Sequence, residues 1–386
     1  MRFVAPTTRG AEGVLAAELS ARGLAAVEGR GIVRFEGDLT DGYTACLWSR
    51  IASRVLLVLE EVSAQTPDDL YEGVQAIPWA EHIDPRRSLA VHFVGTSETI
   101  RNSRFGALRT KDGIVDRLRA DTGTRPSVDL RDPDVRVHVH LAAGRATVAI
   151  DLAGEALYKR GYGRVLGPAP LKESLAAALL HIAGWPEVAA AGGTLVDPMC
   201  GSGTLLEEAA GIALGRAPGL TRPRWGFEGW RGHDPQLWRT LLEEAREGAE
   251  TIRTEARILG SDIHPRAVDC ARKNAQRARV AGLVRLQQAD FLEVDVPSGT
   301  GLMVTNPPYG ERLHAGHDVV HLYRDLGDVL RRRWLGWTAY ILAGSPQLGR
   351  QVGLKPARRV QIHNGPIDCR FLEVPISKRP VQRLAD

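Results

Sequence analysis

The chain has 386 residues, more than one hydrophobic core usually organises, so two or three domains are expected. Hydrophobic residues make up 44% and charged residues 25%, a globular balance that excludes a disordered or fibrous chain. A formal net charge of +4 permits a nucleic-acid partner without requiring one, and four scattered cysteines (Cys46, Cys200, Cys270, Cys369) with no CxxC pair indicate neither a zinc site nor a disulfide framework.

No run approaches the roughly 18 uninterrupted apolar residues of a membrane span. The start, Met1-Arg2-Phe3-Val4-Ala5-Pro6, lacks the apolar centre of a signal peptide, so a cytoplasmic protein with no membrane partner is expected. The first 60 residues alternate strands with amphipathic helices: strand Phe3 to Ala5, helix Ala11 to Arg22, strand Ile32 to Phe35, helix Tyr43 to Arg50, strand Val55 to Leu59. They read as a small α+β unit. From about Leu70 a second unit follows, with a strand at Leu89 to Val94, a basic helix at Phe105 to Arg119, and strands at Val135 to Leu141 and Ala146 to Leu152. Arg136, His138 and His140 alternate with Val135, Val137 and Val139, so the histidines are expected on a solvent face, and no metal site is expected there. Between Arg101 and Arg119 six basic residues outnumber two acidic ones, an excess suited to phosphates. Arg101, Arg104, Arg109 and Lys111 are its candidate RNA contacts. A second excess runs through Arg331, Arg332, Arg333, Arg350, Lys355, Arg358 and Arg359, and either run can equally be a solvated face.

The passage from Lys159-Arg160-Gly161-Tyr162-Gly163-Arg164 to Pro168-Ala169-Pro170 breaks both periodicities with its glycines and prolines, and residues 156–170 read as a linker. A helix (Leu171 to Ala183) then precedes strands at Leu195-Val196, Ile258-Leu259, Val284 to Leu286, Leu302 to Val304 and Ala339 to Leu342, separated by helical stretches. That alternation implies a parallel sheet covered on both faces, with its ligand beyond the carboxyl ends of the strands. Asp197-Pro198-Met199-Cys200-Gly201-Ser202-Gly203-Thr204 follows the first strand, and its glycines let the backbone approach a ligand closely before a helix begins near Leu205. A dinucleotide loop would need a third glycine at 206, which is Leu206, and no lysine follows as in a phosphate loop. Asp262 and Asp290 each follow a later strand, where a carboxylate accepts hydrogen bonds from ribose hydroxyls or an adenine amine; a helix cap is the alternative for either.

The most specific signal is Asn306-Pro307-Pro308-Tyr309-Gly310 after the fourth strand. The prolines fix the backbone, so the Asn306 carboxamide and the Pro307 carbonyl can act as rigid acceptors. Two acceptors suit an exocyclic base amine, whose delocalised lone pair attacks poorly until it is drawn toward a tetrahedral geometry aligned with a sulfonium methyl. Tyr309 supplies a plane on which an unpaired base can stack. Such a donor is a strong electrophile, so no strong general base is needed, and the loop has no cysteine for cytosine-C5 chemistry. A protein-glutamine methyltransferase positions its amide nitrogen with the same motif, and an RNA-binding assembly factor with a vestigial pocket is the non-enzymatic alternative.

Asp197 to Thr204 together with Asn306 to Gly310 resembles the class I, Rossmann-like methyltransferases of base amines. More closely, Leu47-Trp48-Ser49-Arg50-Ile51-Ala52-Ser53-Arg54, Gly73-Val74-Gln75-Ala76-Ile77, Thr99-Ile100-Arg101-Asn102-Ser103, Arg216-Ala217-Pro218-Gly219-Leu220 and Asn364-Gly365-Pro366-Ile367-Asp368-Cys369 resemble the bacterial RlmL type of 23S ribosomal RNA guanine-N2 methyltransferases over nearly the whole chain. The resemblance implies an α/β protein with a ferredoxin-like unit (1–62), a THUMP RNA-binding domain (63–155) and, after the linker, a Rossmann-like methyltransferase domain (171–386). It implies S-adenosyl-L-methionine as cofactor, lined by Asp197, Pro198, Gly201, Gly203, Thr204 and Asn306, with its ribose held by Asp262 and its adenine beside Asp290. Asn306, Pro307 and Tyr309 would receive a guanine of ribosomal RNA, and a monomer is expected. Enterobacterial members carry a second methyltransferase domain after the matched region, so that activity is not assigned to residues 1–386. Transfer RNA guanine-N2 methyltransferases with THUMP domains share the core motifs and remain an alternative. Within 171–386, Trp225, Phe227, Trp230 and Trp238 interleave with Arg222, Arg224 and Arg231, first as core and second as a substrate wall.

Overall fold

A computed structural model describes residues 1–165, 171–309 and 319–377. In chain order the strands are β1 (Arg2–Pro6), β2 (Ala26–Gly29), β3 (Ile32–Glu36), β4 (Leu56–Ser63), β5 (Ser88–Val94), β6 (Ser127–Val128), β7 (Val135–Ala142), β8 (Arg145–Asp151), β9 (Thr194–Asp197), β10 (Arg257–Asp262), β11 (Val284–Gln288), β12 (Gly301–Thr305), β13 (Thr338–Ala343), β14 (Arg358–Asn364) and β15 (Ile367–Pro375). The helices are α1 (Glu12–Ser20), α2 (Leu39–Trp48), α3 (Pro67–Ala76), α4 (Ser103–Thr122), α5 (Glu173–Ile182), α6 (Trp185–Ala190), α7 (Thr204–Ala213), α8 (Pro235–Thr251), α9 (Pro265–Arg277), α10 (Val319–Arg333) and α11 (Pro346–Gln351). Contacts divide the chain into two compact units, one of residues 1–7, 16–159 and 219–244, the other of 8–15, 160–218 and 245–386.

Local chemistry sets the helix starts in the first unit. Asp38 with Asp41 and Thr66 with Asp69 form reciprocal capping boxes at α2 and α3, and Asn102 accepts the Arg104 N–H to open α4. The eight strands run in the order β2-β3-β1-β4-β8-β7-β5-β6, and α3 and α4 pack together and onto the sheet. In β7 the alternating Val135, Val137, Val139 and Leu141 are buried and His140 is exposed, as the sequence predicts. His138 departs from that prediction. It is buried, with its ring 5.1 Å from that of His92 on β5, and the turn Gly226–Gly229, contributed from far along the chain, packs against β7 and β8. Burial, with His92 and Arg54 nearby, drives its imidazole down to about 3.

That turn belongs to a segment the sequence assigned to the catalytic domain. By contacts residues 219–244 pack with the first unit, where Trp225, Phe227 and Trp238 stack and cross at 4.8–5.5 Å and Phe227 and Trp238 lie 4.5 and 5.4 Å from Tyr43. Arg222 lies over Trp225 and donates to the carbonyls of Ala153, Glu155, Ala156 and Lys159. These aromatics are core, and their burial removes them as a substrate wall.

The second unit holds a seven-stranded sheet, β11-β10-β9-β12-β13-β15-β14, parallel from β11 to β13 and closed by the antiparallel hairpin β14–β15. Near-continuous apolar strands such as β12 and β13 suit a sheet covered on both faces. Met303, Ile341 and Leu372 form one core with Tyr323, Trp334 and Trp337. The chain enters the sheet at β9, adds β10 and β11 to one side, and returns to place β12 on the other. A crevice therefore opens beyond the carboxyl ends of β9, β10 and β12. The described part of the predicted linker, 156–165, is not a solvated connector: Arg160 is buried, and 166–170 lie outside the described residues.

Candidate active site

β9 is buried along its whole length, so its last residue, Asp197, is carried inside. Asp197 Oδ1 accepts from the Thr305 hydroxyl at 2.9 Å and from the Met199 N–H at 3.2 Å, joining the ends of β9 and β12. Burial outweighs both bonds and pushes the carboxyl up to about 7. The turn that follows needs Gly201 at φ +54° and Gly203 at φ +89°. Nothing lies within 4 Å of where a Cβ on Gly201 would stand, so that side of the loop is open, whereas a Cβ on Gly203 would meet Ala271 at 3.0 Å and Glu207 Oε1 at 3.1 Å. Pro198 and Cys200 are buried beside it, and burial raises the Cys200 thiol, which fits a packing residue better than a nucleophile.

Asp262 ends β10 half-buried, with Oδ2 accepting from Gly201 N–H at 2.9 Å and Oδ1 from His264 N–H at 2.9 Å. Ala289 N–H donates to the Asp262 carbonyl, bringing Asp290 alongside, and Asp290 Oδ1 accepts from Leu292 N–H at 3.0 Å. Both acids make the turn bonds that a cap would make, at positions that also border the crevice. The structure thus brings Asp197, Gly201, Asp262 and Asn306 to neighbouring strand ends.

Asn306 follows Thr305 directly. Its Oδ1 is buried and has no hydrogen-bond partner among the described residues, and Pro307 beside it is buried. Tyr309 differs from the sequence expectation of an open stacking plane: it is 2% exposed, and its ring lies where a Cβ on Gly344 would stand only 2.4 Å away. Its hydroxyl accepts from Asn364 Nδ2 at 2.7 Å, so the Asn364 to Cys369 string serves to seat the loop. Gly310 lies outside the described residues.

Sequence reasoning missed the groups behind the glycine loop. Arg164 donates to the Ser202 carbonyl and hydroxyl, the Thr204 hydroxyl and Glu207, and Asn274, fully buried, bonds the Ser202 carbonyl and both backbone groups of Val165. The alternation of arginine and tyrosine from Arg160 to Arg164 was the available signal, hidden by the glycines between them. In the first unit, Arg109 is bonded to Pro67 O and Asp68 and lies over Tyr71, so it braces α4 against α3, and Lys111 pairs with its neighbour Asp112; Arg101 and Arg104 are exposed. Among the described residues no cluster of His, Cys, Asp and Glu could hold a metal.

Three family profiles match this chain: the RMKL-like methyltransferase domain (UPF0020) over residues 160–373, the THUMP domain over 64–151 and the RlmL ferredoxin-like domain over 2–56. The chain belongs to the UPF0020 methyltransferase family. A relative from Allochromatium vinosum, named ribosomal RNA large subunit methyltransferase K/L, is 44% identical over 381 residues, covering 98% of this chain and 52% of the relative. One of the same name from Syntrophotalea carbinolica is 44% identical over 385 residues, covering 98% and 54%. The chain spans about half the length of the curated relatives it matches. Among solved structures, SMU.472 complexed with SAH superposes with a TM-score of 0.86 at 30% identity, covering 98% of this chain and 99% of that one. TrmN from Thermus thermophilus, at 22% identity and a TM-score of 0.67 over 97% and 99% of the two chains, shares the UPF0020 fold.

Proposed function

We propose that the protein transfers a methyl group from S-adenosylmethionine to the exocyclic N2 amine of a guanine in 23S ribosomal RNA. The observation that carries this is the buried Asn306 Oδ1, which has no hydrogen-bond partner among the described residues and stands one residue beyond a threonine bonded to the aspartate of the glycine loop. A buried acceptor left without a donor costs about 1–3 kcal/mol, and an amine N–H removes that cost. The neighbouring residues fit the donor: the open side of Gly201 leaves room for it, and the Asp262 carboxylate has lone pairs left for ribose hydroxyls after its two backbone bonds. SMU.472, covered almost end to end by this chain, was solved with the demethylated product of that cofactor.

When bound, the donor supplies an electrophilic methyl carbon. Asn306 Oδ1 and the Pro307 carbonyl accept the amine hydrogens, drawing the nitrogen lone pair out of conjugation and orienting it. Ribosomal RNA is favoured by the names of the relatives and by the THUMP match. It would meet Arg101 and Arg104 at the exposed start of α4, with Arg109 bracing that helix and Lys111 paired to Asp112. Ribosomal RNA as substrate also implies a cytoplasmic site of action, and no described helix is long and apolar enough to cross a membrane.

Incubation with labelled S-adenosylmethionine and undermodified 23S RNA is expected to yield N2-methylguanosine on digestion. Label confined to transfer RNA would move the activity to that substrate, and label on a release-factor glutamine would overturn the base-amine reading.

A further inference from the structure

Residues 160–165 form a strap bonded to the glycine loop and the first turns of α7. Arg160 makes a two-point pair with Glu208, Nε to Oε1 at 3.0 Å and Nη2 to Oε2 at 3.2 Å, which anchors the strap to the helix. The next acid along works differently. Glu207 Oε2 accepts from Arg164 Nε and from the Tyr162 hydroxyl, each at 3.0 Å, while Arg164 Nη2 reaches Ser202 Oγ at 2.9 Å and the Thr204 hydroxyl. Both side chains are almost wholly buried, and the other guanidinium arm lies 3.6 Å from Glu173. Glu207 Oε1 backs the Gly203 turn and has no hydrogen-bond partner among the described residues.

We propose that Glu207 is a positioning residue for the cofactor loop: its carboxylate fixes Arg164, and Arg164 holds Ser202 and Thr204 in the conformation that receives the methyl donor. This rests on the S-adenosylmethionine reading above. Glu207 is one residue of a helix behind the loop, so it acts only through Arg164 and Tyr162. Its protonation removes the charge that pairs with Arg164 and slackens the turn. The groups facing it are Tyr162 and Arg164 on the strap, Glu173 on α5 and Glu208 on α7. Burial pushes the carboxyl up to about 7, with Arg164 and the Tyr162 bond opposing and the two glutamates adding. Donor affinity therefore falls as the pH drops through that value.

Calorimetric titration with S-adenosylhomocysteine between pH 6 and 8.5 tests this. Wild type is expected to bind about tenfold more weakly at pH 6 than at pH 8, the linkage for one carboxylate needed in its ionised form. Asp197 titrates in the same range, so the deciding comparison is with Glu207→Gln, which matches the size of the neutral acid at every pH. That variant should bind at pH 8 about as weakly as wild type at pH 6, with a flatter profile. Tyr162→Phe removes a bond donated to the ionised form and should move the midpoint to higher pH. Glu207→Gln with wild-type affinity and profile overturns the proposal; if that variant does not fold, as melting without ligand reports, an unmoved midpoint in Tyr162→Phe does so. Wild type that binds no S-adenosylhomocysteine at any pH overturns the donor reading itself, and the proposal with it.

Discussion

Asp197 and Asp262 end adjacent parallel strands yet sit in different surroundings. Asp197 is buried and bonded to the side chain of Thr305, and the asparagine that follows that threonine also has a buried oxygen. Asp262 is half-exposed, and its carboxylate receives two backbone N–H groups that shape the turns on either side. Topology makes both border the crevice, but solvation separates their tasks. A water-excluded side can hold a weak nucleophile between fixed acceptors, whereas a half-solvated carboxylate suits hydroxyl groups that exchange with water.

The separation breaks or holds with three substitutions. Asn306→Ala, the largest effect, should lower kcat by about 100- to 1,000-fold, the range for removing one fixed polar group from a reacting centre, with donor affinity preserved in calorimetry. Thr305→Val comes next, leaving Asp197 Oδ1 with only the Met199 N–H, and should cost about 1–3 kcal/mol in urea unfolding at neutral pH. Its pH dependence sharpens the case. With the folded carboxyl raised to about 7, the native state holds the extra proton between roughly pH 4 and 7, so stability falls as pH rises across that window. Losing the threonine bond should carry the fall above pH 7. Asp262→Ala is the mildest, weakening donor binding by about tenfold while turnover at saturating donor changes less. Loss of donor affinity in Asn306→Ala with intact affinity in Asp262→Ala would show the two sides to be assigned the wrong way round.

The sheet and its crevice were legible because strand ends carry their own marks: an apolar run, then Asp197, Asp262 or Asn306. Legibility failed where a partner comes from far along the chain. His138 has the alternation of an exposed residue yet is buried, and its ring lies against that of His92 on a strand more than 40 residues earlier. Trp225 and Phe227 read correctly as core, but nothing local ties them to Tyr43, against which Phe227 packs. Arg164 was hidden for the opposite reason: the glycines around it look like a connector, although their positive φ angles turn a strap that Arg164 ties to α7. Tyr309 keeps its place in the motif, and its burial depends on Gly344 and Asn364, two separate elements away.

Charge runs show the same limit, and they set the smallest prediction. In the second run Arg331 donates to Asp328 and the Gly353 carbonyl, and Arg333 to the carbonyls of Leu292 and Glu293, so both hold helix α10 in place. In the first run Arg109 is similarly engaged while Arg104 is exposed, a contrast that composition cannot express. Arg104→Gln should therefore weaken binding of a 23S RNA fragment by a few-fold and reduce the slope of log affinity against log salt by about one, the signature of one lost phosphate contact. Arg109→Gln should instead lower the melting temperature with the salt slope intact, because an exposed pair to Asp68 and a carbonyl bond are what it loses. Equal slopes for Arg104→Gln and wild type would move the RNA footprint off the start of α4.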